Sequence, residues 1–203
     1  MQQVPAGSAI GVAALTTPRL ILRPFRPDDL PHYAALNADP QVVRYLGGPL
    51  TRQDSDEIAD WANEHHRRDG FGLIAVERRI DGRFLGMCGL HEQDWYPDVL
   101  EIGWRLAREH WGHGYVTEAA AAWLERALGT VGLPRVISIT DLDNHRSVAV
   151  MHRIGMVFDH EADIADEVTG DPFPSVIHSI TAAQWSDRDR RPTCGCPRAA
   201  DPS

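Results

Sequence analysis

The sequence predicts an α/β (α+β) domain on a mixed, mostly antiparallel sheet. Two observations carry this. Strand and helix signals follow one another in the order β α α β β β α β α β β. A strand–helix–strand passage from Asp98 to Thr140 implies one right-handed crossover between parallel neighbours, and the remainder is read as antiparallel.

Taken in order, "RLILRPF" (Arg19–Phe25) reads as a first strand, stopped by Pro24 and Pro27. "DDLPHYAALN" follows as a short helix, with Asp28 or Asp29 as cap and Pro31 in the first turn. "TRQDSDEIADWANEHHRR" is a second helix whose stripe is expected at Ile58, Trp61, Ala62 and His65. "FGLIAVERR" and "RFLGMCGLHEQ" are strands around the turn "IDGR". "DVLEIGWRL" is the next strand. A long helix then runs through "YVTEAAAAWLERAL", with Val116, Ala119, Ala120, Trp123, Leu124, Ala127 and Leu128 on its packing face. "RVISIT" is a strand, and "NHRSVAVMHRIG" a shorter helix with Asn144 near its start and Gly155 past its end. "MVFDHEADI" and "PSVIHSITAAQW" close the sheet as an antiparallel pair.

The 203 residues suit a single domain, read here as 16–185, with disordered ends at 1–15 and 186–203. A formal charge of −9 argues against a general basic surface for nucleic acid. The first residues lack a basic region, and Pro5 and Gly11 interrupt their apolar run, so no signal peptide or membrane span is expected. Cys88, Cys194 and Cys196 cannot make a complete disulfide framework, which points to a reducing, cytoplasmic location. The Cys194/Cys196 pair in the polar tail could bind a metal, form a strained disulfide or do neither.

The most informative stretch is "REHWGHGYVTEAAAAWLERAL". Glycine is costly inside a helix and useful just before one, where N–H groups point outward at the positive end of the helix dipole. The familiar phosphate and metal signatures do not fit. There is no Gly-x-x-x-x-Gly-Lys-Ser/Thr loop, Thr117 stands where a dinucleotide fingerprint has its third glycine, and no His-Glu-x-x-His is present. No metal site is expected. Two readings of Gly112 and Gly114 remain from the residues alone: a tight strand-to-helix turn, or a cradle in which amides from His110 through Val116 receive a diphosphate.

Three segments, "TPRLILRPFRPDDL", "LEIGWRLAREHWGHGYVTEAAAAWL" and "DNHRSVAVMHRIGMVF", with a last strand ending in Trp185, resemble in order and spacing the GCN5-related N-acetyltransferase (GNAT) superfamily. The likeness is to its ribosomal-protein N-terminal acetyltransferase group. It implies helices on both faces of the sheet and a parallel strand pair that splays. It implies acetyl-CoA as donor, with the pyrophosphate on His110, Trp111, Gly112, His113, Gly114, Tyr115 and Val116. The pantetheine arm would pair with Trp104, Arg105 and Leu106, and Asn144 and Ser147 would contact the arm and the region of the sulfur. The partner implied is an amine acceptor, a protein N-terminus or a small molecule, taken by a monomer or homodimer. Glu109 stands where the family's general loop pattern has Gln or Arg.

Acetyl transfer needs a neutral amine, a stabilised oxyanion and a departing thiolate. A main-chain N–H near Leu106 could polarise the carbonyl. Glu101 is the first candidate base; an ion pair with Arg105 on the same strand face is the structural alternative. His91, Asp166 or water are further candidates. Many relatives place a Tyr seven residues after the Asn, where this chain has Met151. Ser147, four residues earlier on the same helical face, could assist the sulfur or only hold pantetheine. Trp61, His65, Trp95 and Tyr96 are candidates for the acceptor side. The competing function is a catalytically silent acyl-CoA-binding regulatory domain.

Overall fold

The computed structural model describes residues 14–93, 96–165 and 172–188. Its sheet has eight strands: β1 (Leu15–Thr16), β2 (Leu20–Arg23), β3 (Leu73–Arg78), β4 (Arg83–His91), β5 (Leu100–Leu106), β6 (Arg135–Asp141), β7 (Val157–Ala165) and β8 (Pro172–Thr181). They lie in the order β1-β2-β3-β4-β5-β6-β8-β7, and every pairing is antiparallel except β5 with β6. The helices are α1 (Leu30–Ala38), α2 (Arg52–Asp69), α3 (Tyr115–Leu124, extended by a π-helical stretch Glu125–Val131), α4 (His145–Arg153) and α5 (Ala182–Arg188).

Strand alternation decides which helices go on which face. Leu20, Leu22, Ile74, Val76, Leu90 and Ile102 point to one side and pack with Ala119, Ala120, Trp123 and Leu124 of α3. Small residues at 119 and 120 bring α3 close to the sheet, and the Trp123 indole donates to the Cys88 carbonyl at 3.1 Å. On the other face Ala75, Phe84 and Met87 pack with Tyr33 and Leu36 of α1 and Ala59 and Ala62 of α2. The β5–α3–β6 passage is the expected crossover.

Three expectations about local structure are corrected. The buried face of α2 is Ser55, Ala59, Ala62 and His66, one position round from the stripe read off the sequence, and Trp61 is left 45% exposed. Small residues win that face because α1 lies close against it. Asp29 does not cap α1; its carboxylate accepts from Arg23 and from the Arg26 N–H. The final strand stops at Thr181. Thr181 and Gln184 then exchange the bonds of a capping box, and Trp185 sits in helix α5 with its indole on Glu125 at 2.8 Å. Most of the two ends expected to be disordered, and Cys194 and Cys196, lie outside the described residues.

Arg23 ties the second strand to the rest. Its side chain and that of Asp29 are 7% and 6% exposed, and it bonds Asp29 at 2.6 Å and Glu77 at 2.7 Å. Removing one partner of a buried charge cluster leaves the others uncompensated. Arg23→Ala is therefore expected to cost about 3–5 kcal/mol, read as a lower urea midpoint, whereas a loss under about 1 kcal/mol would show that the cluster behaves as a surface pair.

Candidate active site

β5 pairs with β4 from Glu101 to Leu106 but with β6 only at Leu100↔Val136 and Glu101↔Ile137. Beyond Glu101 the two strands part. The Ala107 N–H donates to the Leu85 carbonyl at 2.9 Å. Ladder alternation therefore turns the amides of odd-numbered β5 residues toward β4 and those of Trp104 and Leu106 into the opening. Main chain exposed in this way is a template for an extended, amide-containing partner.

Glu101 stands at the apex of this fork. Its Oε1 accepts from the Ile139 N–H at 3.3 Å and its Oε2 from Gln93 Nε2 at 2.5 Å. His91 lies directly across the β4–β5 ladder, with Nε2 3.6 Å from the same carboxylate. The expected structural alternative, an ion pair with Arg105, is not what forms: Arg105 Nη1 donates instead to Asn37 of α1 at 2.5 Å. Gly103 lies between them on that face, and a Cβ there would come within 3.4 Å of His91 Nε2. Burial pushes the His91 imidazole down to about 4, with His65 adding to the effect, so it is neutral at pH 7.

Past Leu106 the chain makes a 3-10 turn at Arg108–His110 and enters α3 through Gly112 (φ +78°) and Gly114 (φ +75°). Only glycine takes these conformations cheaply. The amides of His110 and Trp111 are used within the turn, on the Ala107 and Arg108 carbonyls, which narrows the expected cradle. The first helical bond runs from the Glu118 N–H to the Gly114 carbonyl at 3.1 Å, so Tyr115, Val116 and Thr117 precede the ladder with outward N–H groups. A Cβ on Gly112 would meet nothing within 4 Å, so the loop is open at that position. The Trp111 indole folds back onto the Leu106 carbonyl at 2.8 Å.

The loop is held from a direction the sequence reading missed. Arg19 bonds the His113 carbonyl at 2.9 Å and Glu118 at 2.5 Å, while Thr17 bonds the same Glu118 at 2.6 Å. The only hint was that Thr17 and Arg19 fall inside the first resembling segment. Arg146, also missed, places its guanidinium 4.6 Å above the Trp111 ring and brings a cation to the loop from α4. Asn144 caps α4 by accepting from the Ser147 N–H at 3.3 Å, and itself donates to Thr140 at 2.8 Å. Ser147 is half-buried. Met151, one turn on, is fully buried in the main core, so its thioether is packing material.

On the acceptor side, Trp61 lies against His65 with ring centroids 3.9 Å apart and the rings tilted by 37°. Tyr96 turns away from that role: its hydroxyl meets His160 Nε2 at 2.6 Å, and its ring packs near Ile164. Trp95 and Asp166 lie outside the described residues. A cavity of about 850 Å³ opens between α1, the β3–β4 turn and Arg108–His110, beside the loop and clear of the fork. Among the described residues no three His, Cys, Asp or Glu side chains group to hold a metal, and no helix is long and apolar enough to cross a membrane.

A forked parallel pair, a glycine loop and a helix start in one crossover are matched by a family model. The acetyltransferase (GNAT) domain model covers residues 19–157. The chain belongs to the GNAT acetyltransferases. It is similar to the uncharacterized protein YkkB of Bacillus subtilis, 33% identical over 144 residues, 70% of this chain and 84% of that protein. Among solved structures it is similar to an acetyltransferase of Agrobacterium tumefaciens, with 28% identity and TM-score 0.70 over 84% of this chain and 95% of that one. It shares its fold with RimL, a ribosomal L7/L12 alpha-N-protein acetyltransferase in complex with coenzyme A, at TM-score 0.69 and 15% identity over 83% and 97% of the two chains. This GNAT protein is an acetyl-CoA-dependent acetyltransferase, a class that acts on amine acceptors.

The depressed His91 has a consequence for stability. Between roughly pH 6.5 and pH 4 the unfolded chain takes up a proton at this position and the folded chain does not, so stability falls as pH drops through that window. His91→Gln should flatten the pH dependence of the urea midpoint by an amount on the order of 1–3 kcal/mol across the window. An unchanged profile would mean that the imidazole is solvated.

Proposed function

We propose that this GNAT protein transfers acetyl to a primary amine, on a protein N-terminus or a small molecule, with Glu101 as the group that takes the amine proton. The observation that carries the reading is the position of Glu101 at the apex of the β5–β6 fork, held by Gln93 and the Ile139 N–H and facing a neutral His91.

The donor fits residues on both sides of the fork. The amides of Gly112, His113, Gly114, Tyr115 and Val116 would face its diphosphate, with the open space at Gly112 giving access and Arg146 a nearby cation. Trp104 and Leu106 would offer main-chain groups to the pantetheine amides; Arg105, with its amide turned to β4, would contribute only through its neighbours' spacing. Asn144 and Ser147 would lie along the far wall. Acetyl-CoA supplies an activated acyl group whose thiolate is a fair leaving group.

The chain's residues then have defined tasks. A main-chain N–H near Leu106 meets the negative charge that develops on the carbonyl oxygen. As the amine nitrogen bonds to the acyl carbon, Glu101 accepts the nitrogen's proton, directly or through a water, and the carbon–sulfur bond breaks. His91, neutral and buried, keeps water away from one side of the carboxylate. Met151 is packed into the core, and Ser147, half-buried one turn earlier on α4, would give a hydrogen bond to the departing sulfur.

Two measurements test this. Acetyl-CoA at a hundredfold above its Kd should raise Tm by roughly 5–10 °C, and Gly112→Val, which puts a branched side chain at a positive-φ position of the loop, should remove the shift while keeping a cooperative melt. A wild-type shift in that variant would move the diphosphate off this loop. Glu101→Gln, assayed against a panel of amines, should lower turnover about a hundredfold or more with a smaller loss of stability. A well-folded Gln variant with unchanged rate would take Glu101 off the proton path and leave the acetyl-transfer reading itself standing on CoA binding.

A further inference from the structure

Arg105 is a cation that the fold holds in place and does not neutralise. It shares a face of β5 with Glu101 and Gly103 and sits across the ladder from Met87. Its Nη1 donates to Asn37 Oδ1 at 2.5 Å, and Asn37, fully buried, is fixed in turn by its own Nδ2 on Ser55 at 2.8 Å. Nε is buried without a hydrogen-bond partner. The neighbouring side chain on α1 is Tyr33, uncharged and fully buried. Among the described residues no carboxylate forms an ion pair with this guanidinium. Arg23, on the same sheet, shows what the fold does when an arginine is structural: it supplies Asp29 and Glu77 together. Burial at Arg105 works against the charged form.

A positioned guanidinium with donors in hand and no counter-charge is a receptor for an oxyanion, because its planar fork matches a carboxylate. Its place decides whose anion. Glu101 and Arg105 point the same way from one strand, about 13 Å apart along the backbone; Gly103 between them has no side chain of its own, and Leu73 and His91 border that stretch, 3.3 and 3.4 Å from where a Cβ would stand. Its bond to Asn37 of α1 places the Arg105 side chain on the α1–α2 face and not in the fork where the donor's arm would run.

We propose that Arg105 is a specificity residue that receives a carboxylate carried by the acceptor, so that the preferred acceptor is an amine with an acid group several bonds away. This rests on the acetyl-transfer reading above and adds the class of acceptor. The amine would lie at Glu101 and the acid at Arg105, with Asn37 keeping the guanidinium aimed along the strand.

The test uses the whole protein with 6-aminohexanoate, 6-aminohexanamide, hexylamine and 5-aminopentylphosphonate as matched acceptors. The acid should exceed the amide in kcat/KM by about tenfold to a hundredfold, mainly through KM. Arg105→Met should bring that ratio to within about twofold without changing the KM for acetyl-CoA, and Arg105→Lys should keep part of it; melting curves check that each variant folds. Calorimetry of 6-aminohexanoate on the CoA-saturated protein gives a second reading independent of turnover: binding that Arg105→Met abolishes supports the assignment even if none of these amines is acetylated. No preference for the acid, a preference for the phosphonate alone, an equal loss on acid and amide, or a variant that raises only the acetyl-CoA KM each overturns it, as does the absence of calorimetric binding by the wild type.

Discussion

The parting of β5 from β6 after Glu101 is the constraint on which the rest of the site depends. A sheet normally satisfies each strand amide with its neighbour, and here a strand in the middle of an eight-stranded sheet gives up that pairing for most of its length. The Glu101 carboxylate accepts the Ile139 N–H at the point of divergence, and so occupies the place where a ladder bond would close the gap. The same carboxylate that props the fork faces the side from which an amine would come. On the proposed reading, one residue would serve both stability and chemistry.

The segment after Leu106 keeps the fork open. Trp111 folds its indole onto the Leu106 carbonyl, and Arg146 covers the other face of that ring from α4. The glycine loop is then fixed to the far end of the sheet by Arg19, Thr17 and Glu118. These residues are spread over some 130 positions of the sequence, from Thr17 to Arg146. Their common effect is to hold a helix start and two turned-out strand amides at a fixed distance, which is the preorganisation that binding a long, flexible ligand requires.

The two faces of the sheet divide the labour. The α3 face is a continuous apolar core in which Met151 takes part. The α1–α2 face carries His91, Glu101 and Arg105 on neighbouring positions, with small residues of α2 packed close by. Polar groups concentrated on one face of a strand, with aliphatic residues on the other, are the local arrangement expected where one side of a sheet is spent on folding and the other on recognition.

By itself the sequence determined the order of elements, the crossover that makes β5 and β6 parallel, and the loop at Gly112 and Gly114, because these follow from local periodicity, turn chemistry and helix-start geometry. The apolar run of α3 and the turn at Asp81–Gly82 are read the same way. Every feature set by partners distant in the chain required the tertiary structure. The face of α2 turned on how closely α1 packs, so Trp61 came out and Ser55 went in. Trp185 left the last strand because Thr181, Gln184 and Glu125 offered it a helix and a partner. The pairing of Arg105 with Asn37, and not with Glu101 on its own strand, was decided by a helix that arrives from about 70 residues away, and local spacing carries no record of that choice.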